Sequence, residues 1–400
     1  MKYIVLVCDG MSDYPLPELG ERTPLEAAKT PNLDFIARHG RLGRVKTVPA
    51  GFIPGSDVAQ MSIFGYDPKK YYSGRGPLEA ANLGVELEDD DVAFRCNLVT
   101  TSADTLTDYS AGHISTKEAA ILIKFIDRHL GTNRIKFYPG VSYRHLMVIK
   151  RGAEEHLEAL RCRAPHDITG KSIARNLPKG DGADILIKLI EESRNILSKH
   201  EINLVRIDLK ENPANMLWLW GQGKKPAMPK FNDKFNLTGS VISAVDLIKG
   251  LGRLLGLEVI NVPGATGYYD TDYKAKARAA LRLLEKDDFV FVHVEAADEA
   301  GHNGDLREKI MAIERFDQLV LGSILKAFKG KRNARILVLP DHATPVALKT
   351  HTADPVPFGI FGQDIIARGF LNYSEKEALK SDLYFDKGHE LMGYFIKDAS

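Results

Sequence analysis

The chain has 400 residues, 44% of them apolar and 27% charged, with a formal net charge of +1. That length exceeds one simple core and fits two domains, or one large domain carrying an insertion. The balanced charge argues against broad electrostatic binding of nucleic acid or an anionic membrane. The cysteines Cys8, Cys96 and Cys162, odd in number and without metal-ligand spacing, suit a reducing cytoplasm.

The N-terminal "MKYIVLVCDG" holds an apolar run of about five residues, shorter than the apolar region of a signal peptide. No stretch approaches the roughly 20 apolar residues that span a bilayer, and a cytoplasmic location is expected. Tyr3 to Val7 reads as a strand that ends in Asp9-Gly10. Next, "FIPGSDVAQMSIFGYDP" (Phe52 to Pro68) predicts a turn at Pro54-Gly55 and a short amphipathic helix with Ser56 at its N-cap. Serine favours that position for its own sake. The same geometry sets free N–H groups and a partial positive charge beside a phosphate carried on the serine oxygen. Ser62 competes as a nucleophile but falls in the helix interior.

Residues 89–235 behave differently. Short apolar stretches ("VAFRCNLV", "HLMVIK", "INLVRIDL") alternate with Pro and Gly, and helix-like patterns lie around 117–128 and 183–198. This predicts a separate α+β unit, with "LEDDD" (Leu87 to Asp91) and "WGQGKKPAMPKFNDKF" (Trp220 to Phe235) as connectors. Residues 1–88 and 236–400 then form one core, and 89–235 an insertion within it.

Beyond the insertion, Asp272 to Lys286 and Arg307 to Phe328 carry apolar residues at helical spacing. Between and after them, Phe289 to Val294 ("FVFVHV") and Ile336 to Leu339 are continuous apolar runs, as suits strands buried on both faces of a parallel sheet. Strand–helix alternation predicts an α/β core with helices on both faces. Ligands bind beyond the carboxyl ends of such strands, and all three runs place acids there.

"DEAGH" sets Asp298 and His302 four residues apart, on one face of a helical turn, so carboxylate and imidazole grip one ion. An exposed polar turn would look the same. Asp341-His342 follows a buried strand and His351 lies nine residues on. With Asp9, six carboxylates and imidazoles gather at adjacent strand mouths, too many for one catalytic ion and about right for two. Asp and His without Cys suit Mn²⁺, Mg²⁺, Co²⁺ or Zn²⁺, and Mn²⁺ is the first expectation. Two such ions clamp a phosphoryl group, and Ser56 is the candidate to receive it.

Asp9, Ser56 in "PGSD", "DEAGH", "LPDH" and His351 in "KTHTADPVPF" together resemble the alkaline phosphatase superfamily. "SGRGPLEAANLGVEL" (Ser73 to Leu87), "LTDYSAGHIST" (Leu106 to Thr116), "FYPGVSYRHLMV" (Phe137 to Val148) and Ile242 to Tyr273 are similar to its 2,3-bisphosphoglycerate-independent phosphoglycerate mutases, in the archaeal-type branch. The resemblance covers essentially the whole chain. It implies an alkaline-phosphatase-like core, a largely parallel sheet with helices on both faces, interrupted by an inserted α+β domain. It assigns one ion to Asp298, His302 and His351, and the second to Asp9, Ser56, Asp341 and His342.

The chemistry it implies is transfer of phosphate from 3-phosphoglycerate to serine, reorientation of glycerate, and return of phosphate to the other hydroxyl. The implied partner is that small molecule, with no nucleic acid or membrane, and the oligomeric state stays open. An inserted domain that holds glycerate and excludes water would keep the phosphoserine from hydrolysing. Arg75, His113, Arg144 and His145 are expected on the anionic glycerate, His113 matching the family best, and Lys249 on phosphate. Asp104 and Asp108 are candidates for proton handling. A hydrolase of the same superfamily would keep every metal-site residue and release phosphate to water. An inactive relative would be expected to have lost a ligand or the serine, and none is lost.

Overall fold

The computed structural model describes residues 1–328 and 333–398. Two compact units emerge: Met1–Tyr72 with Met228–Ser400, and Ser73–Ala227. In chain order the strands are β1 (Lys2–Cys8), β2 (Arg41–Val45), β3 (Val92–Ser102), β4 (Thr105–Asp108), β5 (Ile135–Val141), β6 (Arg144–Ile149) and β7 (Met216–Lys224). Then follow β8 (Gly239–Ile242), β9 (Glu258–Ile260), β10 (Phe289–Val294), β11 (Ala334–Leu339), β12 (Val356–Gly362) and β13 (Tyr384–Phe385).

The first unit is a mixed α/β layer structure around a sheet ordered β13-β2-β12-β11-β1-β10-β8-β9. Its central strands run parallel, and β12 pairs antiparallel with both β11 and β2. Every residue of β10 and β11 is buried, which is why their sequences lack polar alternation. Ile4, Leu6, Val290, Val292, Ile336 and Val338 share one core with the helix Tyr273–Lys286 and with Leu33 and Ile36. On the opposite face Phe291 stacks on Phe64 at 4.2 Å.

Asp272 caps the helix Tyr273–Lys286 by accepting the Ala275 N–H at 2.8 Å. The pattern from Arg307 to Phe328 is not one regular helix. It runs Leu306–Arg315, widens to π geometry over Phe316–Leu321, and resumes as Gly322–Phe328. Within the wide turn the fully buried Asp317 accepts the Leu33 N–H at 2.7 Å and Asn32 Nδ2 at 2.9 Å, tying down the start of the helix Pro31–His39.

The second unit is an antiparallel sheet, β4-β3-β6-β5, with β7 on the other side of β3. The helices Thr116–Leu130 and Ala183–Leu197 bury Leu122, Ile126, Leu186 and Ile190 against one face. The helix Arg75–Leu83 packs on β3 and β7, where Ala80 meets Ala93, Leu146 and Val148.

That packing moves the boundaries from the expected 89–235 to 73–227. Trp220 continues β7 opposite Arg95 and donates its indole N–H to Asn97 Oδ1 at 3.0 Å, so it is no connector. Phe231 stacks on Phe289 at 4.5 Å and belongs to the first unit. "INLVRIDL" (Ile202 to Leu209) falls on the helix Glu201–Asp208 and its C-cap Leu209, and His200 caps the start by accepting the Ile202 N–H.

Candidate metal centre

Register places the site. Val7 lies opposite both His293 on β10 and Leu339 on β11. The segments just beyond these positions carry Asp9, Glu295 and Asp341, so three acids leave the same edge of the sheet. Gly10 turns the chain with φ +64°, and its N–H donates to Asp341 Oδ1 at 3.2 Å. The His342 N–H donates to the same oxygen at 2.9 Å, and Gln60 Nε2 donates to Asp341 Oδ2 at 2.9 Å.

Asp298 and His302 lie on the helix Ala296–Asn303, where one turn brings Asp298 Oδ2 to 3.3 Å from His302 Nε2. His351 Nε2 approaches Asp298 Oδ1 at 3.4 Å and His302 Nε2 at 2.8 Å. His342 Nε2 lies 3.1 Å from Ser56 Oγ, 3.4 Å from Asp341 Oδ2 and 3.6 Å from Asp9 Oδ1. All seven expected residues therefore meet.

Ser56 is not the N-cap. Gly55 holds that place in extended conformation, and Ser56 opens the helix Ser56–Ile63 with no side-chain capping bond among the described residues. Its hydroxyl is thus free for His342 rather than spent on the backbone. Ser62 Oγ donates to Val58 O at 3.3 Å inside the helix.

The histidines share one arrangement. His302 Nδ1 donates to Lys349 O at 3.1 Å and His351 Nδ1 to Pro54 O at 3.3 Å. Carbonyls only accept, so the proton sits on Nδ1 and the Nε2 lone pair faces the centre, as second partners commonly arrange for metal-bound imidazole.

Burial raises the Asp9 carboxyl well above its usual range, and Asp341 and Asp298 add repulsion. Burial also acts upward on Asp298, but the His302 and His351 imidazoles beside it outweigh that and hold the carboxyl well below its usual range. Burial lowers His342, favouring the neutral form that binds metal. Asp9 Oδ1 is buried and takes no hydrogen bond among the described residues. Converging lone pairs, three buried acids and an orphaned carboxylate oxygen fit divalent cations.

Close grouping of ligand atoms gives two triads, Asp298–His342–His351 and Asp9–His293–Asp341. These cut across the division expected from resemblance. His342 stands between the two halves, its ring 4.0 Å from that of His351. Lys249 pairs with Asp246 at 3.8 Å on the helix Asp246–Leu254, which packs on the Ser56 helix. The neighbouring buried Lys276 donates to His293 O at 3.1 Å; burial lowers its ammonium to about 8.

In the second unit Arg75 and Arg95 lie over the Trp220 ring at 5.6 and 4.9 Å. Arg95 is buried and ion-paired with Glu79 at 3.4 Å. Burial lowers its pKa, Glu79 opposes that, and Arg75 and Arg144 lower it further. Arg144 is exposed beside Tyr143. His145 does not share that face: alternation along β6 turns it inward, where its Nδ1 accepts the Gly140 N–H at 2.9 Å.

His113 is exposed at φ +51°, in a turn built by Asp108. Asp108 accepts from Ser110, Gly112 and Asn212, and Asp104 accepts from Ser172 and Ala174. Both acids named as proton handlers are thus engaged in loop structure.

A family model described as 2,3-bisphosphoglycerate-independent phosphoglycerate mutase matches residues 37–203. A Methanosarcina acetivorans protein of that name is 52% identical over 399 residues, covering 99% of this chain and 100% of the relative. The chain belongs to the 2,3-bisphosphoglycerate-independent phosphoglycerate mutase family. A probable mutase from Geobacter sulfurreducens is 52% identical, with 98% of each chain covered. Among solved structures, this mutase resembles a Pyrococcus horikoshii protein with TM-score 0.84 and 30% identity, covering 100% and 98% of the two chains. A cofactor-independent phosphoglycerate mutase from Thermoplasma acidophilum matches with TM-score 0.68 and 29% identity over the full length of both.

Four contributors to this mutase's charged clusters escaped the sequence reading: His293, Thr344, Gln60 and Arg95. His293 is fully buried, with Nε2 2.9 Å from Asp9 Oδ2. A histidine inside "FVFVHV" was the available signal, since a buried imidazole needs a polar partner.

Proposed function

We propose that this protein interconverts 3-phosphoglycerate and 2-phosphoglycerate through a phosphoserine on Ser56, without 2,3-bisphosphoglycerate. The observation that carries this reading is the Ser56 hydroxyl, free of capping duty and 3.1 Å from His342 Nε2 beside Asp9 and Asp341. Asp298, His302 and His351 would hold one divalent cation, and Asp9, Ser56, Asp341 and His342 the second, with Mn²⁺ preferred. Such ions, when bound, neutralise phosphoryl charge and lower the pKa of a coordinated hydroxyl.

The chain's own residues do the rest. Ser56 gives up its hydroxyl proton and attacks phosphorus, and the glycerate oxygen leaves with its electron pair and takes up a proton in its place. The released acid reorients, and its other hydroxyl gives up a proton and attacks the phosphoserine, whose serine oxygen leaves with its electron pair and is reprotonated to the hydroxyl. Lys249 is assigned to phosphate. Arg75, His113 and Arg144 are assigned to glycerate, joined by Arg95, whose clustered positive charges an anion relieves. Three free cysteines support a reducing, cytoplasmic setting, and among the described residues no helix is long and apolar enough to cross a membrane.

The test is a coupled assay with 3-phosphoglycerate on metal-stripped protein, with Mn²⁺, Mg²⁺, Co²⁺ and Zn²⁺ returned one at a time. Formation of 2-phosphoglycerate without free phosphate is expected. Phosphate release instead would identify a hydrolase.

A further inference from the structure

We propose that Thr344 is a positioning residue that couples the two halves of the metal centre through its single hydroxyl. The inference rests on the two-ion reading above. Thr344 follows β11 by a short turn and is fully buried. Its Oγ1 lies 2.5 Å from Asp298 Oδ1 and 3.2 Å from His342 Nδ1. A hydroxyl has one proton. A carboxylate that holds a cation only accepts, so that proton goes to Asp298. The remaining contact must then be His342 Nδ1–H donating to the Thr344 oxygen. His342 is thereby locked with its Nε2 lone pair toward Ser56, Asp9 and Asp341. Asp298 serves one ion and His342 the other, so one side chain sets geometry at both.

The surroundings are built to hold this hydroxyl in place. The Thr344 N–H donates to Ser12 O at 3.2 Å, and Thr344 O accepts Lys309 Nζ at 2.8 Å. Lys309 is itself buried and paired with Asp13 at 2.7 Å. Two glycines make the room. A Cβ at Gly10 would stand 2.7 Å from Thr344 Oγ1 and 2.6 Å from Asp298 Cα, and one at Gly301 would stand 2.3 Å from Thr344 O. The loop after β1, the Asp298 helix and the loop after β11 therefore close on Thr344 without space for a side chain between them.

The test is titration of metal-free wild-type, Thr344→Val and Thr344→Ser proteins with Mn²⁺, following stoichiometry and affinity by calorimetry, with fold checked by circular dichroism. Valine keeps the shape and removes the hydroxyl. The expected result is a fall of about 10–100-fold in affinity at both sites for Thr344→Val, the usual cost of losing an outer partner, and recovery of wild-type affinity in Thr344→Ser. Should Thr344→Val fail to fold, Thr344→Ala takes its place. Undiminished binding without the hydroxyl, weakening of one ion only, or a serine variant as weak as valine would each overturn the coupling. Wild-type protein that takes up a single ion would overturn the two-ion reading itself, and the coupling with it.

Discussion

His302 and His351 face each other through their Nε2 atoms at 2.8 Å, while the Nδ1 of each is tied to a backbone carbonyl. Two neutral imidazoles held this way cannot hydrogen-bond to one another. A cation must lie between their lone pairs, or one ring must carry a second proton. Burial pushes His302 down, yet Asp298 outweighs it and lifts the imidazole to about 9, so proton and metal compete for the Nε2 lone pair.

Metal removal should therefore cost stability. Saturating Mn²⁺ at about 100 times its dissociation constant is expected to add about 2.7 kcal/mol per ion to the folded state. Thermal unfolding with and without a chelator measures this. An unchanged melting curve after exhaustive chelation would contradict the two-ion reading.

Replacing Ser56 with alanine separates catalysis from folding. Because Gly55 holds the N-cap, Ser56→Ala should change stability by less than about 0.5 kcal/mol, as ordinary non-capping substitutions do. Turnover should vanish. Wild-type protein quenched during turnover should carry one added phosphoryl, about 80 Da, on the peptide containing Ser56. Mutase activity retained with alanine at position 56 would end the phosphoserine mechanism.

His293 bears on Asp9. Its Nε2 lies at hydrogen-bond distance, 2.9 Å, from Asp9 Oδ2, leaving Oδ1 to face the centre. Burial drives its pKa down to about 3, so it stays neutral. His293→Ala should weaken Mn²⁺ binding by about 10–100-fold. His293→Asn, which keeps a donor in the strand, should lose less. Equal affinity in all three proteins would remove His293 from the centre.

His145, in the second unit, supplies a pH signature of its own. Burial, helped by Arg144, depresses its pKa from 6.5 to about 3. Below pH 6.5 the unfolded chain binds a proton that the folded one refuses. His145 therefore contributes stability above pH 6.5 that is lost on acidification toward pH 3, at about 1.4 kcal/mol per pH unit. His145→Gln should flatten that part of the stability profile in denaturant titrations. An identical acid slope in the variant would show that His145 is not the group responsible.

The clustering of Ser56 with the residues expected to bind metal was legible in the sequence because its signals are local. Asp298 and His302 need only one helical turn, and Asp9 and Asp341-His342 need only the end of a buried strand. The core helices and central strands were legible for the same reason, since hydrophobic period is a property of neighbouring residues. Tertiary structure decided what depends on pairing across hundreds of residues. The register that sets Val7 against His293 and Leu339 brings the three acids level and carries His293 to Asp9. The close approach permitted by Gly10 and Gly301 places Thr344 between Asp298 and His342. Packing of the helix Arg75–Leu83 on β3 and β7 assigns it to the second unit and gathers Arg75 and Arg95 on Trp220. None of these contacts has a periodic signature, because which residue meets which is fixed by strand register and side-chain volume rather than by spacing along the chain.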